Sequence, residues 1–307
     1  MPSPIIAITG AGGLIGSSLV RRLQESGQTV VPLFRGSAPV IDVRGGFADL
    51  TRADHMRELV AQGFRADLIV HLAGLVDIIF QPGSNRGETL CLPGQLKVEP
   101  HYLANVVGTA NVVDLARACG ASRIIFASSQ TVYGYGEQGR ADETTPLRPL
   151  EHYAASKVCA EQLLAMASRQ GLSVVIVRFP GIYSPLRASG AVHAMCRSAV
   201  QHRVIEVHAE CAIPFDVLAL EDVVTGIVKA LSYAGESLEI FNLSSGEPCS
   251  LELLAGRIGA LVPGTRIEKR GVAQPPFQMS GARAARLLQW QPAPVNLRLA
   301  EMLSSPP

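Results

Sequence analysis

The sequence predicts an α/β fold in which a doubly wound parallel sheet is accompanied by a smaller C-terminal lobe. Short runs of apolar and β-branched residues alternate with longer runs of helical periodicity, and the first apolar run leads directly into a glycine-rich turn and a helix. Such alternation is typical of parallel strands joined by helical crossovers. After Arg178, prolines interrupt the alternation, and this change of pattern predicts the separate lobe.

Each predicted element is indicated by its own residues. The strands are short apolar runs, predicted at Ile5–Thr9, Thr29–Phe34, Leu68–Leu72, Arg123–Ala127, Ser173–Arg178 and Glu239–Leu243. The helices are rich in helix formers, and they are predicted at Leu14–Ser26, His101–Cys119, Ala154–Arg169 and Glu221–Ser232. The last helix and strand, Glu221 to Leu243, are expected to return to the main sheet.

The composition of the 307-residue chain disfavours several classes of protein. Its net charge is +1 and it has no basic run, so we expect neither nucleic acid nor an anionic membrane as a partner. No apolar run approaches the ~18 residues that span a bilayer, and the first residues lack a charged leader region, so we expect a cytoplasmic protein. The six cysteines include no C-x-x-C pair, so neither a metal site nor a disulfide framework is predicted.

A glycine-rich turn follows the first predicted strand, where Gly10, Gly13 and Gly16 lead into a helix. Glycines allow a pyrophosphate to approach the backbone, and the start of a helix offers unpaired N–H groups to an anion. The spacing departs from G-x-G-x-x-G, because Ile15 stands where the last glycine would be. The turn predicts a cradle for cofactor phosphates, and the alternative is a turn that binds no ligand.

Tyr153 and Lys157 are spaced so that they share one face of a predicted helix. A tyrosine with a pKa of about 10 is a poor base at neutral pH, and a nearby ammonium together with an oxidised nicotinamide would favour its phenolate. Upstream, a strand ends at Ser128 and Ser129, where a hydroxyl can orient a substrate oxygen. A lone Tyr-x-x-x-Lys occurs by chance, but the order of glycine turn, serine, tyrosine and lysine is much more specific.

Taken together, these motifs resemble those of the extended short-chain dehydrogenases/reductases, the group that includes nucleotide-sugar epimerases and dehydratases. The resemblance covers nearly the whole chain, and the matching pieces, in the order of the family, are Thr9–Gly16, Asp49–Leu50, His71–Gly74, Asn105–Thr109, Ser128–Gly134, Tyr153 with Lys157, Arg178–Gly181 and Leu288–Pro292. It implies a Rossmann-type dinucleotide-binding domain at 1–180 plus 215–243 and a substrate lobe at 181–214 plus 244–307.

The resemblance also implies catalytic roles. It selects Ser129 over Ser128 as the hydroxyl that holds the reacting oxygen, because the family places this residue four positions before the tyrosine of Val-Tyr-Gly, here Tyr133. By the same comparison Tyr153 is the acid/base, and Lys157 lowers its pKa and holds the cofactor ribose.

The implied contacts to NAD(P) come from every motif along the sheet edge. They are Gly10, Gly13, Leu14, Ile15, Gly16, Arg35, Asp49, Leu50, Leu72, Ala73, Gly74, Asn105, Tyr153, Lys157, Phe179 and Pro180. Asp49 and Leu50 would flank the adenine, and Asn105 would support the nicotinamide side. The alternative is that Asn105 and Asp49 only start a helix and form a turn.

The end of the second strand favours NADP over NAD. NAD-binding relatives usually present an acid there to the ribose hydroxyls, whereas this chain has Phe34 followed by Arg35. A guanidinium suits the 2′-phosphate of NADP, and a carboxylate would repel it. The alternative is that Arg35 is only a solvated loop residue.

Other departures from the family bear on the substrate. Gln130 and Thr131 replace the Asp-Glu pair of 4,6-dehydratases, so dehydration of that kind is disfavoured, and Phe215 replaces an arginine that clamps pyrophosphate in many UDP-sugar enzymes. Arg187, Arg197 or Arg283 would have to supply that charge instead. The candidate substrate residues are Thr131, Tyr183, Arg187 and His193, although a histidine on a helix face is often only structural.

The sequence therefore predicts NAD(P)-dependent hydride transfer at a C–OH or C=O group of a sugar-like or nucleotide-sugar substrate. Two alternatives stay open: an NADPH-dependent reductase of a non-sugar carbonyl compound, and a non-catalytic NAD(P)-binding sensor or scaffold. The long segment between His71 and Asn105 is either a lid or a disordered insertion. The resemblance implies a homodimer formed by the helices at His101–Cys119 and Ala154–Arg169, the alternative being ordinary core packing of these helices.

Overall fold

The computed structural model describes residues 3–35, 46–76, 98–134, 140–187, 189–208, 216–271 and 276–304. Within these ranges the strands are β1 (Ile5–Thr9), β2 (Thr29–Phe34), β3 (Gly46–Phe47), β4 (Leu68–His71), β5 (Arg123–Ser129), β6 (Arg140–Ala141), β7 (Ser173–Phe179), β8 (Gly181–Tyr183), β9 (Val204–His208), β10 (Val217–Ala219), β11 (Leu238–Asn242), β12 (Arg266–Arg270) and β13 (Gln278–Met279). Most of the long segment between His71 and Asn105 lies outside the described residues, and so does Phe215.

The helices of the same ranges lie mostly between consecutive strands. They are α1 (Leu14–Glu25), α2 (Ala53–Ala61), α3 (Val98–Tyr102), α4 (Gly108–Cys119), α5 (His152–Arg169), α6 (Ala191–His202), α7 (Leu220–Leu231), α8 (Leu251–Leu261), α9 (Ala282–Leu287) and α10 (Val295–Ser304). A π-helical segment at Leu103–Val107 joins α3 to α4, and a 3-10 turn at Gln130–Tyr133 follows β5. None of the described helices is long and apolar enough to cross a membrane.

Seven of the described strands form one parallel sheet in the order β11-β7-β5-β4-β1-β2-β3. The chain builds outward from β1 in both directions, which confirms the predicted doubly wound α/β fold. Every strand predicted from the sequence belongs to this sheet, and the boundaries differ only at strand ends. In such sheets ligands bind beyond the carboxyl ends of the strands, where the strand order reverses.

Side chains that alternate along β1 fill a core on each face of the sheet. Ile6 and Ile8 belong to a buried cluster with Leu19 of α1 and Ile227 of α7. Ala7, between them, belongs to the opposite cluster, which α2, α4 and α5 cover. Because both faces are covered, the strands are nearly continuous apolar runs, and this is why the sequence shows them clearly.

The prediction of one helix over His101–Cys119 is wrong in detail, because α3, the π-helical segment and α4 follow one another there. Asn105 lies in the π-helical segment, and its side-chain amide exchanges two hydrogen bonds with the backbone of Leu75, of 2.8 and 3.1 Å. These bonds join the π-helical segment to the loop that follows β4. Five residues are too few to disturb the apolar spacing on which the prediction depends.

A further core lies in the part of the chain after β7. Buried residues from α6, β9, α8 and α10 form it, and the parallel pairs β8/β10 and β9/β12 lie beside the main sheet. β11 returns to the main sheet next to β7, whereas β10 pairs with β8 instead. The sequence does not show these short elements, because prolines and glycines break their periodicity.

Candidate active site

The glycine turn after β1 leaves no space for a side chain at Gly10 or Gly16. A Cβ atom on Gly16 would lie 2.2 Å from the carbonyl oxygen of Gly10, and one on Gly10 would lie 2.7 Å from the amide nitrogen of Ala73. Gly10 also has a φ of 68°, which L side chains rarely adopt. Gly10 and Gly16 are therefore required by the backbone, and Gly10 lies against the loop that follows β4.

The first turn of α1 is suited to an anion. Its N-cap is Gly13, whose extended backbone leaves the first amides without a side-chain cap in the described structure, and the turn contains no acidic residue. Leu14 and Ile15 are half-buried beside it. Unpaired N–H groups and the positive end of the helix dipole both favour phosphate oxygens at this point. The residues present thus fit the pyrophosphate of a dinucleotide.

The loop after β4 is fixed by a buried histidine. Thr9 Oγ1 and His71 Nδ1 are 2.8 Å apart, His71 Nε2 and Thr109 Oγ1 are 3.1 Å apart, and the amide of Ala73 donates to Thr9 Oγ1 at 3.2 Å. Burial, together with the smaller effect of the Lys157 charge, lowers the pKa of His71 to about 3, so the imidazole is neutral at physiological pH. We assign His71 a structural role.

Gly74 lets this loop pass close to the centre of the site. A Cβ atom on Gly74 would lie 2.9 Å from Asn105 Oδ1 and 3.2 Å from Lys157 Nζ. The Asn105 amide also donates to Ser156 Oγ of α5, at 2.9 Å. Asn105 therefore connects the β4 loop to the helix that carries Tyr153, and its amide is used in these bonds.

The phenol of Tyr153 is buried at the carboxyl end of β5. Burial raises its pKa to about 12, a hydrogen bond with Ser129 opposes the increase, and the charge of Glu151 adds to it. Ser129 Oγ also accepts hydrogen bonds from the amide and hydroxyl of Thr131, at 3.3 and 3.1 Å. The structure thus brings together the predicted serine, tyrosine and threonine, and the tyrosine is in its protonated form.

Lys157 lies one helical turn after Tyr153, with its ammonium inside the protein. Nζ donates to the carbonyl oxygen of Ala127 at 2.9 Å, and it lies 4.7 Å from the centre of the Phe126 ring and 5.9 Å from that of Tyr153. Burial lowers the pKa of Lys157 to about 8, and the charge of Glu161 opposes this. A buried lysine of this kind changes its charge readily when a charged group binds nearby.

Sequence reasoning missed a buried ion pair behind these residues. Arg178 of β7 makes hydrogen bonds of 2.9 and 2.5 Å to the two carboxylate oxygens of Glu161, and Ser128 donates to the same carboxylate at 2.5 Å. Ser128 is therefore engaged in the interior, whereas Ser129 faces Tyr153. The one sequence signal was that Glu161 follows Lys157 by four residues, which places it on the same helix face.

The predicted adenosine contacts lie beyond β2 and β3. Phe34 is buried in the core, and Arg35, the next residue, is exposed. Burial by itself would raise the pKa of Asp49, but hydrogen bonds from Thr51 and the charges of His55 and Arg35 hold it below its usual value. Asp49 Oδ1 accepts hydrogen bonds from the Thr51 amide and hydroxyl at 3.0 and 2.8 Å. The Asp49 carboxylate therefore also stabilises a local turn, as the alternative interpretation of this residue predicted. Leu50 is buried beside it.

The remaining predicted residues lie at or beyond the end of β7. Phe179 pairs with Ser129 across the sheet, and Pro180 follows it in a buried position. Tyr183 is buried in the C-terminal core, where burial raises its pKa above the usual value. Arg187 is exposed and donates to the carbonyl of Ile182 at 3.1 Å.

His193 is half-buried on α6. Arg283 is paired with Glu239, so its charge is engaged there. No group of three histidine, cysteine, aspartate or glutamate side chains in the described ranges is arranged to hold a metal ion.

The chain is similar in sequence to known proteins. Residues 6–90 and 94–244 match the sequence model of the NAD dependent epimerase/dehydratase family. The chain is 28% identical to the UDP-glucose 4-epimerase of Mycolicibacterium smegmatis, covering 93% of this chain and 92% of that protein. It is also 28% identical to the 2-alkyl-3-oxoalkanoate reductase of Stenotrophomonas maltophilia, covering 98% of this chain and 89% of that protein.

A solved structure supports the fold. The UDP-glucose 4-epimerase of Thermus thermophilus, determined in complex with NAD, superposes with a TM-score of 0.77 at 22% identity, over 97% of each chain. At this identity the match bears on architecture, and it places the parallel sheet and flanking helices in a common arrangement.

Proposed function

Because the chain belongs to the NAD dependent epimerase/dehydratase family, whose members are extended short-chain dehydrogenases/reductases, we propose that it transfers a hydride at a C–OH or C=O group of a sugar-like or nucleotide-sugar substrate. The observation that carries the proposal is the convergence of Ser129, Tyr153 and Lys157 at the carboxyl end of β5. The glycine turn before α1 would hold the pyrophosphate of the cofactor a short distance away.

In this proposal Tyr153 is the group that moves the proton. In the reduction it donates its phenolic proton to the substrate oxygen, which Ser129 Oγ holds by a hydrogen bond. In the oxidation the phenolate accepts that proton, and the Lys157 ammonium stabilises the phenolate. A nicotinamide held at this site would supply or accept the hydride, and the positive charge of its oxidised form would favour the phenolate. The protein contributes position and proton transfer.

We further propose NADP as the preferred cofactor. Phe34 stands where NAD-binding relatives usually have an acidic residue at the end of the second strand. Its buried ring cannot accept hydrogen bonds from ribose hydroxyls. Arg35 beside it is exposed, and its guanidinium, whose charge also acts on Asp49, would contact a 2′-phosphate. Leu72, Ala73, Gly74 and the start of α1 would line the rest of the cofactor site.

A second candidate function is the NADPH-dependent reduction of a non-sugar carbonyl compound. The similarity to the oxoalkanoate reductase supports it, since that similarity extends over 98% of this chain. The Phe34 and Arg35 pair supports it too, because a net reductase exchanges its cofactor and commonly uses NADPH. Thr131 and Arg187 remain the substrate contacts that we propose, since Tyr183 is buried in a core.

We also propose a homodimer formed by the helices beside the active site. Leu103 and Val107 of the π-helical segment are 40% and 41% exposed, and Met166 of α5 is 54% exposed. Apolar side chains exposed on adjacent helices are a common feature of helical interfaces. The second copy would cover them.

The nucleotide that the protein retains tests the proposal directly. The protein is purified without added cofactor and denatured, and any released nucleotide is identified by mass. Stoichiometric NAD⁺ would support an epimerase that returns the hydride within one turnover, and would overturn the NADP preference. An empty protein that binds NADPH more tightly than NADH would support an exchanging reductase. A protein that binds none of these nucleotides would refute hydride transfer.

A further inference from the structure

Three buried polar residues form a row across neighbouring strands at the carboxyl edge of the sheet. Ser128 of β5 is in register with Arg178 of β7, and Arg178 is in register with Asn242 of β11. All three are at most 2% exposed. Register partners in a parallel sheet present their side chains to the same face, so this row faces α5. Buried polar side chains need hydrogen-bond partners, and a residue of α5 is the main partner of this row.

The partner on α5 is Glu161, which is 4% exposed. Tyr153, Lys157 and Glu161 follow one another at intervals of four residues and lie along one stripe of the helix. Glu161 accepts from Ser128 and twice from Arg178, so its carboxylate is satisfied by two strands of the sheet. Glu161, the last residue of the stripe that begins with Tyr153, is therefore hydrogen-bonded to two strands of the sheet.

The other end of Arg178 reaches the turn that follows β5. Its Nη1 donates to the phenolic oxygen of Tyr133 at 2.8 Å, and the Tyr133 hydroxyl donates to Asn242 Oδ1 at 2.7 Å. The guanidinium carbon lies 5.0 Å from the centre of the Tyr133 ring. Tyr133 belongs to the 3-10 turn that begins directly after Ser129. The network therefore fixes the chain on both sides of Ser129, at Ser128 before it and at Tyr133 after it.

Stability alone does not account for this arrangement. A buried ion pair recovers little net free energy of folding, and well-packed apolar residues of similar volume are often as stable or more so. The strands around it, Ile124 to Phe126 and Val174 to Val177, are apolar and buried, so the fold has such packing available. The polar network is confined to the end of the sheet at which the catalytic residues meet.

We infer that Glu161 is a positioning residue for hydride transfer: clamped by Ser128 and Arg178, it fixes the distance between the end of β5, which carries Ser129, and the face of α5, which carries Tyr153 and Lys157. The inference rests on the proposed function, and it adds a residue whose carboxylate touches neither substrate nor cofactor. Arg178, Ser128 and Tyr133 act in it as the supports of Glu161.

The charge of Glu161 gives the clamp a second effect. Glu161 is the carboxylate, among the described residues, that raises the pKa of Lys157 against the effect of burial. The other titratable groups that face Lys157 are Tyr153 on its own helix and neutral His71 on β4, and Arg178 of β7 faces Glu161. Removal of the negative charge would therefore lower the pKa of Lys157.

The test uses Glu161→Gln, which keeps the shape of the side chain and removes its charge. The chain has four lysines, Lys97, Lys157, Lys229 and Lys269. A protein labelled with ¹³C at the lysine ε-carbons therefore gives few NMR signals, and the signal that disappears in Lys157→Met is that of Lys157. We expect that signal to titrate at lower pH in Glu161→Gln than in the wild type. We also expect kcat to fall by about tenfold or more, with the alkaline limb of the pH profile moved to lower pH.

Ser128→Ala is the matched control, because it loosens the clamp and keeps the charge. It should lower kcat by a smaller factor and leave the Lys157 titration and the pH profile unchanged. A Glu161→Gln protein that is folded and retains the wild-type titration and kcat would overturn the inference. A fall in kcat with an unmoved profile in Glu161→Gln would overturn the charge effect and reduce Glu161 to a structural residue.

If Glu161→Gln does not fold, the Ser128→Ala/Tyr133→Phe double variant keeps the ion pair and removes its links on both sides of Ser129. A fall in kcat with unchanged cofactor affinity supports the inference, and an unchanged kcat overturns it. The lysine titration needs no cofactor or substrate. A wild type without hydride-transfer activity therefore refutes the proposed function, whereas an active wild type with insensitive variants refutes only the role of Glu161.

Discussion

The ammonium nitrogen of Lys157 lies 5.9 Å from the centre of the Tyr153 ring, and the pKa values of the two buried side chains are shifted in opposite directions. Burial raises the pKa of Tyr153 to about 12 and lowers that of Lys157 to about 8. In the absence of a cofactor the pair is therefore an acid next to a cation, and formation of the phenolate requires additional positive charge. This is the reason to expect proton transfer only after the cofactor has bound.

Replacement of Tyr153 by phenylalanine should remove the proton donor and leave the shape of the site. We expect kcat to fall by about 10²- to 10⁴-fold, the usual contribution of general acid–base catalysis, with the cofactor still bound. Initial rates and a cofactor titration by fluorescence measure the two effects. Full activity of Tyr153→Phe on the true substrate would exclude Tyr153 as the acid/base.

The pH dependence should report the titration of Lys157. Because its pKa in the protein is about 8, the ammonium is present below that pH and is lost as the pH rises through it. The kcat/KM for the cofactor, which reflects the free enzyme, should therefore decline on the alkaline side above a pH of about 8. Lys157→Met should remove this alkaline limb along with most of the activity. A profile that stays flat to pH 10 in the wild type would contradict the assignment.

Gly16→Ala tests the turn before α1. The new Cβ would lie 2.2 Å from the carbonyl oxygen of Gly10, so the backbone has to move. We expect a lower melting temperature and a loss of the stabilisation that the cofactor gives. Gly256→Ala on α8 is the control, because its Cβ meets nothing within 4 Å, and alanine there should stabilise the helix by about 0.5–1 kcal/mol. Equal behaviour of the two variants in thermal unfolding with and without cofactor would contradict the prediction.

Arg35→Ala tests the choice of cofactor. If Arg35 contacts the 2′-phosphate, the variant should bind NADPH at least about tenfold more weakly and NADH with nearly unchanged affinity, since a hydrogen bond to a charged group contributes about 1.5–3 kcal/mol. Calorimetric titration with both nucleotides measures this. Arg65→Ala is the control, because Arg65 precedes β4 at the amino ends of the parallel strands, whereas Arg35 follows β2 at their carboxyl ends. Equal weakening for both nucleotides in Arg35→Ala would refute the phosphate contact.

The main sheet could be predicted from the sequence because its strands are buried on both faces and therefore appear as continuous apolar runs. The π-helical segment could not, since five residues do not disturb the apolar spacing and the bonds of Asn105 to Leu75 join residues 30 positions apart. The Glu161 and Arg178 pair was invisible for the same reason. Either residue alone suggests an exposed charge, and only the packing of α5 against β7 makes them a buried pair.

Val107→Lys tests the proposed dimer. Val107 is 41% exposed on the segment that packs beside α5, and a lysine there would place charge in the apolar interface between two copies. We expect the mass in solution, measured by light scattering, to fall from that of two chains to that of one. Leu297→Lys on α10 is the control, because Leu297 is 52% exposed at a distance in sequence from both helices and should leave the mass unchanged. A wild type that is monomeric at every concentration would refute the dimer. A dimer that persists in Val107→Lys would move the interface to another surface, because an unpaired charge buried between the copies costs more than such an interface tolerates.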